Sequence, residues 1–188
     1  KGNKGESRPV QITVTTAGTE IRRVESLDID PYGAFARGMR NLGYFEGKNL
    51  LIEWRSAEGK SERLPELAAE LVRLKVDVLL TRGTPASLAA QKATTVIPIV
   101  MLNVGDPVGD RMVKSLARPG GNITGLSNMH EDLGPKQLEL LTIIVPGASR
   151  IAVVANPSNS AHPAVVKSLQ AAAQRFDIRV LPVNASTV

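Results

Sequence analysis

Residues 81–108 read TRGTPASLAAQKATTVIPIVMLNVGDPV and contain two junctions of the same construction. In the first, a strand from Asp77 to Thr81 passes through Arg82 and Gly83 into Thr84-Pro85; in the second, a strand from Ile97 to Asn103 passes through Val104 and Gly105 into Asp106-Pro107. Thr84 and Asp106 each stand immediately before a proline, the order of an N-cap followed by the first helical residue. Proline also keeps the residue before it out of the helical region, so the helix start is defined from both sides. This pattern predicts helices over 85–93 and about 108–117 whose N-termini share one rim, the carboxyl edge of a parallel sheet. Open α/β folds bind their ligands at that edge, and free backbone N–H groups there favour an anion. A helix-capping role worth about 1 kcal/mol would account for Thr84 and Asp106 without any ligand, so the junctions alone leave both readings open.

Outward from this stretch, short apolar runs alternate with helical periodicity, the mark of a parallel sheet with covering helices. A strand is expected at Val10–Thr16, then a helix from Pro31 to Gly43 with Tyr32, Phe35, Ala36, Met39 and Leu42 at helical spacing. Asn49–Trp54 reads as a second strand. Ser61 is placed as the cap of a helix whose inner face is Leu64, Leu67, Ala68, Leu71 and Leu74. Arg118-Pro119-Gly120-Gly121 breaks the pattern. After it come a short strand at Asn122–Ser127, a helix over 135–145 with Leu138, Leu141 and Val145 inward, and a very apolar, buried strand at Arg150–Ala155. A third polar turn, Asn156-Pro157-Ser158-Asn159-Ser160, leads to a helix over 163–175 and a strand at Ile178–Val183. The last two strands alone cannot bury both faces of a sheet.

Composition excludes several classes. Cysteine is absent, which removes disulfides, thiol catalysis and cysteine-ligated zinc. The two histidines, His130 and His162, fall on different segments without metal-ligand spacing and read as surface-loop residues. The net charge of +5 is spread over alternating helices, and aromatics make up only 3% of the chain, so no stacking platform for nucleic acid is expected. No apolar run approaches the roughly 20 residues of a membrane helix.

Chemical motifs are excluded in turn. Gly59-Lys60-Ser61 resembles the end of a phosphate-binding loop, but Trp54 stands where that loop needs its first glycine. No G-x-G-x-x-G follows the first strand and no G-x-S-x-G elbow is present. Asp106 and Asp110, four apart, suit the dipole of a first helical turn better than catalysis. What remains is a set of hydroxyl, amide and glycine turns at strand ends with one acid, Asp106. Such a site can hold a small polar molecule without transforming it, and no cofactor is expected.

Four segments carry a family resemblance: FARGMRNLGYFEGKNLLIEWRSAEGKSERLPELAAELVRLKVDVLLTRGTPA, IPIVMLNVGDPV, SLARPGGNITGLS and SRIAVVANPSNSAH. Together they resemble the type I periplasmic binding proteins of bacterial ABC transporters, in the group that includes tryptophan-binding members. The resemblance implies an α/β fold of Rossmann-like parallel-sheet lobes, with residues 1–121 as the first lobe, 122–127 as a hinge crossing strand and 128–188 as an incomplete second lobe. It further implies a receptor that holds an amino-acid-like solute between lobes, works with a membrane permease and resides in the periplasm or cell envelope. Neither nucleic acid nor catalysis is implied. Carried onto this chain, the ligand-contacting turns supply Thr16, Gly18 and Thr19; Gly83, Thr84, Ala86 and Ser87; Gly105 and Asp106; and Asn156, Ser158 and Ser160. Gly83, Thr84 and Ala86 are expected to offer N–H groups, and Thr84 and Ser87 hydroxyls, to a carboxylate, with Asp106 taking an ammonium. The incomplete lobe is expected to pair with a second copy or to be held loosely. The competing reading is an α/β enzyme using Asp106 as acid or base; a weaker one is a ligand-sensing regulatory domain.

Overall fold

The structure is a computed structural model that describes residues 10–16, 31–128, 130–157, 159 and 161–185. Five parallel strands form one sheet in the order β2-β1-β3-β4-β5: β1 Val10–Thr16, β2 Leu50–Ser56, β3 Val78–Arg82, β4 Ile99–Val104 and β5 Ile123–Ser127. The order reverses between β1 and β3, the topological switch point at which doubly wound sheets open a crevice at their carboxyl edge. A second sheet contains β6 Arg150–Ala155 and β7 Arg179–Asn184, also parallel.

On one face of the larger sheet, Leu50, Ile52 and Leu80 pack against Phe35 and Met39 of helix α1, Pro31–Asn41. That helix stops where Gly43 takes φ +86°; Gly43 donates to the Arg40 carbonyl and Tyr44 to that of Met39, closing the last turn. The other face is built on Leu71, Leu79, Ile99, Met101 and Ile123, beside helices α2, Leu64–Arg73, and α3, Thr84–Ala93. The two helices meet through Leu64, Leu67, Ala68, Ala86 and Ala89. Small residues on α3 allow that close packing, which places the start of α3 firmly against the sheet.

Several expectations change. Ser61 opens a short 3₁₀ turn, Ser61–Arg63, and makes no side-chain capping bond to α2. Leu74 ends α2 and is exposed, because the helix stops before its inward-facing row extends that far. Residues 108–117 form turns and bends in place of a helix. Arg111 adopts φ +57°, and the Pro107 carbonyl accepts from both Met112 and Val113, so the chain closes one turn and stops. Met112 and Val113 then enter the core.

Helix α4, His130–Ile144, begins five residues before the predicted start and contains Pro135; Val145 lies past its end and is exposed. Leu138 of α4 packs with Ala172 and Ala173 of helix α5, His162–Ala173, and with Ile178 and Val180. Among the described residues, one face of the β6-β7 sheet is covered, by those helices, and so β6 is not the fully buried strand its apolar sequence suggests. Ile151 and Val153 are half-buried, whereas Val154, Leu181 and Val183 are exposed.

Candidate functional site

The carboxyl edge of the larger sheet brings the first two predicted turns side by side. Thr16, the last residue of β1, is in register with Arg82, the last of β3, and Arg82 in turn with Leu102 of β4. Gly18 and Thr19 lie outside the described residues, as do Ser158 and Ser160. Arg82 itself went unremarked as a candidate; it is exposed at the switch point, and its guanidinium has the charge to meet a carboxylate.

Gly83 is the residue that caps α3, with φ +86° and ψ 156°, a conformation that strongly favours glycine. Thr84 is therefore the first helical residue and not the cap. Its side chain, 3% exposed, accepts the Gly105 N–H at 3.4 Å through Oγ1, linking the two junctions to each other. Ser87 is fully buried; its Oγ lies 2.8 Å from Thr81 Oγ1 and donates to the Gly83 carbonyl at 3.0 Å. The Ser87 hydroxyl is thus committed to holding the turn, and the Gly83 N–H is committed to the Leu102 carbonyl at 2.8 Å. The Thr84 and Ala86 N–H groups belong to the first turn of α3 and have no intrahelical acceptor. They are the backbone donors of this junction that suit an anion.

The second turn is held as tightly. Ser127 Oγ donates to the carbonyls of Val104 at 3.0 Å and Gly105 at 2.9 Å, so the end of β5 clamps the end of β4. Asp106 Oδ1 accepts the Val108 N–H at 3.2 Å and the Gly109 N–H at 2.7 Å, capping the single turn that replaces the expected helix. Gly109 must be small: a Cβ there would fall 2.0 Å from Asp106 Oδ2. Burial and the Asp106 charge together push the Asp110 carboxyl above its usual range. Of the two acids, Asp106 is the one that directly follows Gly105 at the strand-end turn.

The turn after β6 reaches toward this rim. A Cβ built on Gly105 would stand 3.7 Å from Ala161 Cβ, which puts Gly105 and the start of α5 in near contact. Asn156 follows β6 directly, and its N–H donates to His162 Nδ1 at 2.8 Å. His162 is the first residue of α5, not a surface-loop residue, and its role has no local signature beyond the spacing of six residues from Asn156. Among the described residues, no group of three or more His, Asp or Glu side chains could hold a metal ion. No described helix is long and apolar enough to cross a membrane.

Residues 24–188 match the family model for ABC transporter substrate binding protein. A tyrosine-binding protein of Clostridioides difficile strain R20291 is 34% identical over 153 residues, which is 81% of this chain and 44% of that protein. The crystal structure of a conserved domain protein from Vibrio cholerae O1 biovar El Tor aligns with TM-score 0.83 and 31% identity, over 96% of this chain and 58% of that one. An ABC domain from Streptococcus pneumonia in complex with L-Trp aligns with TM-score 0.80 and 25% identity, over 95% of this chain and 58% of that one. The chain thus spans about half the length of the curated relative it matches.

Proposed function

Because the chain belongs to the ABC transporter substrate-binding protein family, we propose that it is the solute-recognition part of a receptor for an aromatic or similar amino acid, bound and released without chemistry. The observation that carries this reading is the bond from the Gly105 N–H to Thr84 Oγ1. It makes one rim of two strand-end turns, with the N–H groups of Thr84 and Ala86 on one side and the Asp106 carboxylate on the other. A zwitterion has the complementary pair of charges: its carboxylate suits the start of α3 and the nearby Arg82, and its ammonium suits Asp106. The remaining site residues are proposed from the family resemblance: Thr16 with Gly18 and Thr19 after it, Gly83, Ser87 and Gly105 shaping the turns, and Asn156 with Ser158 and Ser160 after it. A related protein is named for tyrosine and another was crystallised with L-Trp, which supports this class of solute.

The same reading assigns residues 1–121 to one lobe, 122–127 to a crossing strand and 128–188 to part of a second lobe, with a membrane permease as partner and the periplasm or cell envelope as location. β5 lies within the proposed crossing and pairs with β4, so the crossing begins as the edge of the first sheet. Isothermal titration with L-tyrosine, L-tryptophan and L-leucine tests the assignment. The expected result is binding of at least one aromatic amino acid, recovered unaltered afterwards; conversion of the solute would favour an enzyme using Asp106, and no heat with any of the three would sink the reading.

The exposed row of Val154, Leu181 and Val183 supports a further part of the proposal, that two copies of this 188-residue chain associate through the uncovered β6-β7 face. Sedimentation is expected to show a dimer that Val154→Lys converts to monomer. A wild-type chain that stays monomeric at high concentration would remove this idea.

A further inference from the structure

We propose that His162 is a positioning residue that holds the Asn156 turn in its solute-binding shape and lets it go on protonation. This rests on the solute-receptor reading above, whose second wall is the Asn156 turn. The Asn156 N–H donates to His162 Nδ1 at 2.8 Å, so the neutral ring accepts at Nδ1 and carries its proton on Nε2. Three more bonds join described residues of the turn: the Asn156 carbonyl accepts from Asn159 N at 3.1 Å, the Asn159 carbonyl from His162 N at 3.1 Å, and Asn159 Oδ1 from Ala161 N at 3.1 Å. The imidazole is the one titratable link in this ring of bonds. When it is charged, both ring nitrogens carry hydrogen, and a donor faces the Asn156 donor in place of an acceptor. That bond is then lost, and the direct tie between the strand end and the His162 ring goes with it, leaving the Asn159 bonds to hold the turn.

The consequence reaches the opposite wall. Ala161, inside the ring of bonds, stands 3.7 Å from the place where a Gly105 Cβ would be. A turn that relaxes there changes the fit of the second wall to the Gly105-Asp106 turn. The imidazole lines a hollow of about 360 Å³ with Pro157, Pro163, Val166 and Pro182. Lys167 of α5 is the ionised side chain among the described residues lining it, and no described acid lines it to receive an imidazolium. On the facing turn the nearest acid in sequence to Gly105 is Asp106, which is occupied with the Val108 and Gly109 N–H groups.

The test follows the Asn156 amide and the His162 ring nitrogens by NMR in the full 188-residue chain, from about pH 8 to about pH 5, the span in which imidazoles change charge. The Asn156 amide proton is expected to lose its hydrogen-bonded shift in step with the ring, and to stay still in His162→Asn, whose amide oxygen can accept the same N–H without titrating. An Asn156 amide indifferent to the charge on the ring overturns the proposal. In parallel, wild-type affinity for L-tryptophan is expected to fall about tenfold across that span, the scale of one lost hydrogen bond. His162→Asn should hold its affinity throughout, and His162→Leu should be weak at both ends. Equal pH responses in wild type and His162→Asn also overturn it. If L-tryptophan binds none of them at any pH, the receptor reading fails for that solute, and the amide titration still decides the role of His162.

Discussion

Gly125→Ala is expected to cost about 3–5 kcal/mol, a large effect for a single added methyl group. Gly125 lies in β5 at φ +143°, where a side chain is strained before any contact is considered. Its built Cβ would lie 2.0 Å from the Met101 carbonyl oxygen and 2.7 Å from the Met101 nitrogen. Both obstacles are backbone, so no rotamer change relieves them. Met101 and Gly125 are register partners, and the ladder shifts immediately afterwards, before Val104 pairs with Ser127. Relief therefore requires β5 to leave β4 at the point where Ser127 clamps the Gly105 turn, and it would draw Ile123 out of the core. The midpoint of urea denaturation reads this directly. A loss below about 1 kcal/mol would mean that the strands are not paired as described.

Asp106→Asn is expected to weaken binding of an amino-acid solute by about 2–4 kcal/mol, roughly 30- to 1,000-fold, while leaving the fold intact. The asymmetry comes from the two jobs of this carboxylate. Its structural job is to accept the Val108 and Gly109 N–H groups through Oδ1. An asparagine oxygen performs that job about as well as an aspartate, so thermal stability should change little. Its proposed functional job is to neutralise an ammonium, and an amide cannot do that. The isosteric change therefore separates the two roles. A deaminated analogue such as indole-3-propionate should bind wild type and variant alike. If L-tryptophan itself binds wild type with measurable affinity and loses none of it in Asp106→Asn, Asp106 is a turn cap and no more.

The parallel sheet, its strands and most of the covering helices were legible because their cores repeat at strand and helix periods: Leu64, Leu67, Ala68 and Leu71 read as one helix face and all four are buried. The missing helix after Asp106 was not legible. Residues 108–117 have helix-compatible composition, and only the left-handed turn at Arg111 and the insertion of Met112 and Val113 into the core end it. That is tertiary contact overriding local preference. The same holds at Thr84 and Ser87. Hydroxyls at a helix start read as ligand donors or caps, yet the buried bonds to Gly105, Thr81 and Gly83 turn both inward. Gly105, 21 residues from Thr84, leaves no local trace, and the nearer partners of Ser87 are brought together only by the turn at Gly83. His162 was misplaced for the same reason, since its value lies in a bond to Asn156 across a turn. The early start of α4 went unread because Pro135, normally a helix opener, sits inside it.

The strand order has a consequence for how the protein is made. Every strand of the larger sheet comes from residues 10–127, and both strands of the smaller one come later in the chain. A polypeptide that emerges N-terminus first, from the ribosome or from an export channel, can therefore pair these five strands without waiting for β6 or β7. The switch point between β1 and β3 closes once β3 has emerged, and the β5 edge is in place before β6 is available to compete for it. Vectorial emergence thereby keeps apart in time two parallel sheets whose edge strands could otherwise pair with each other.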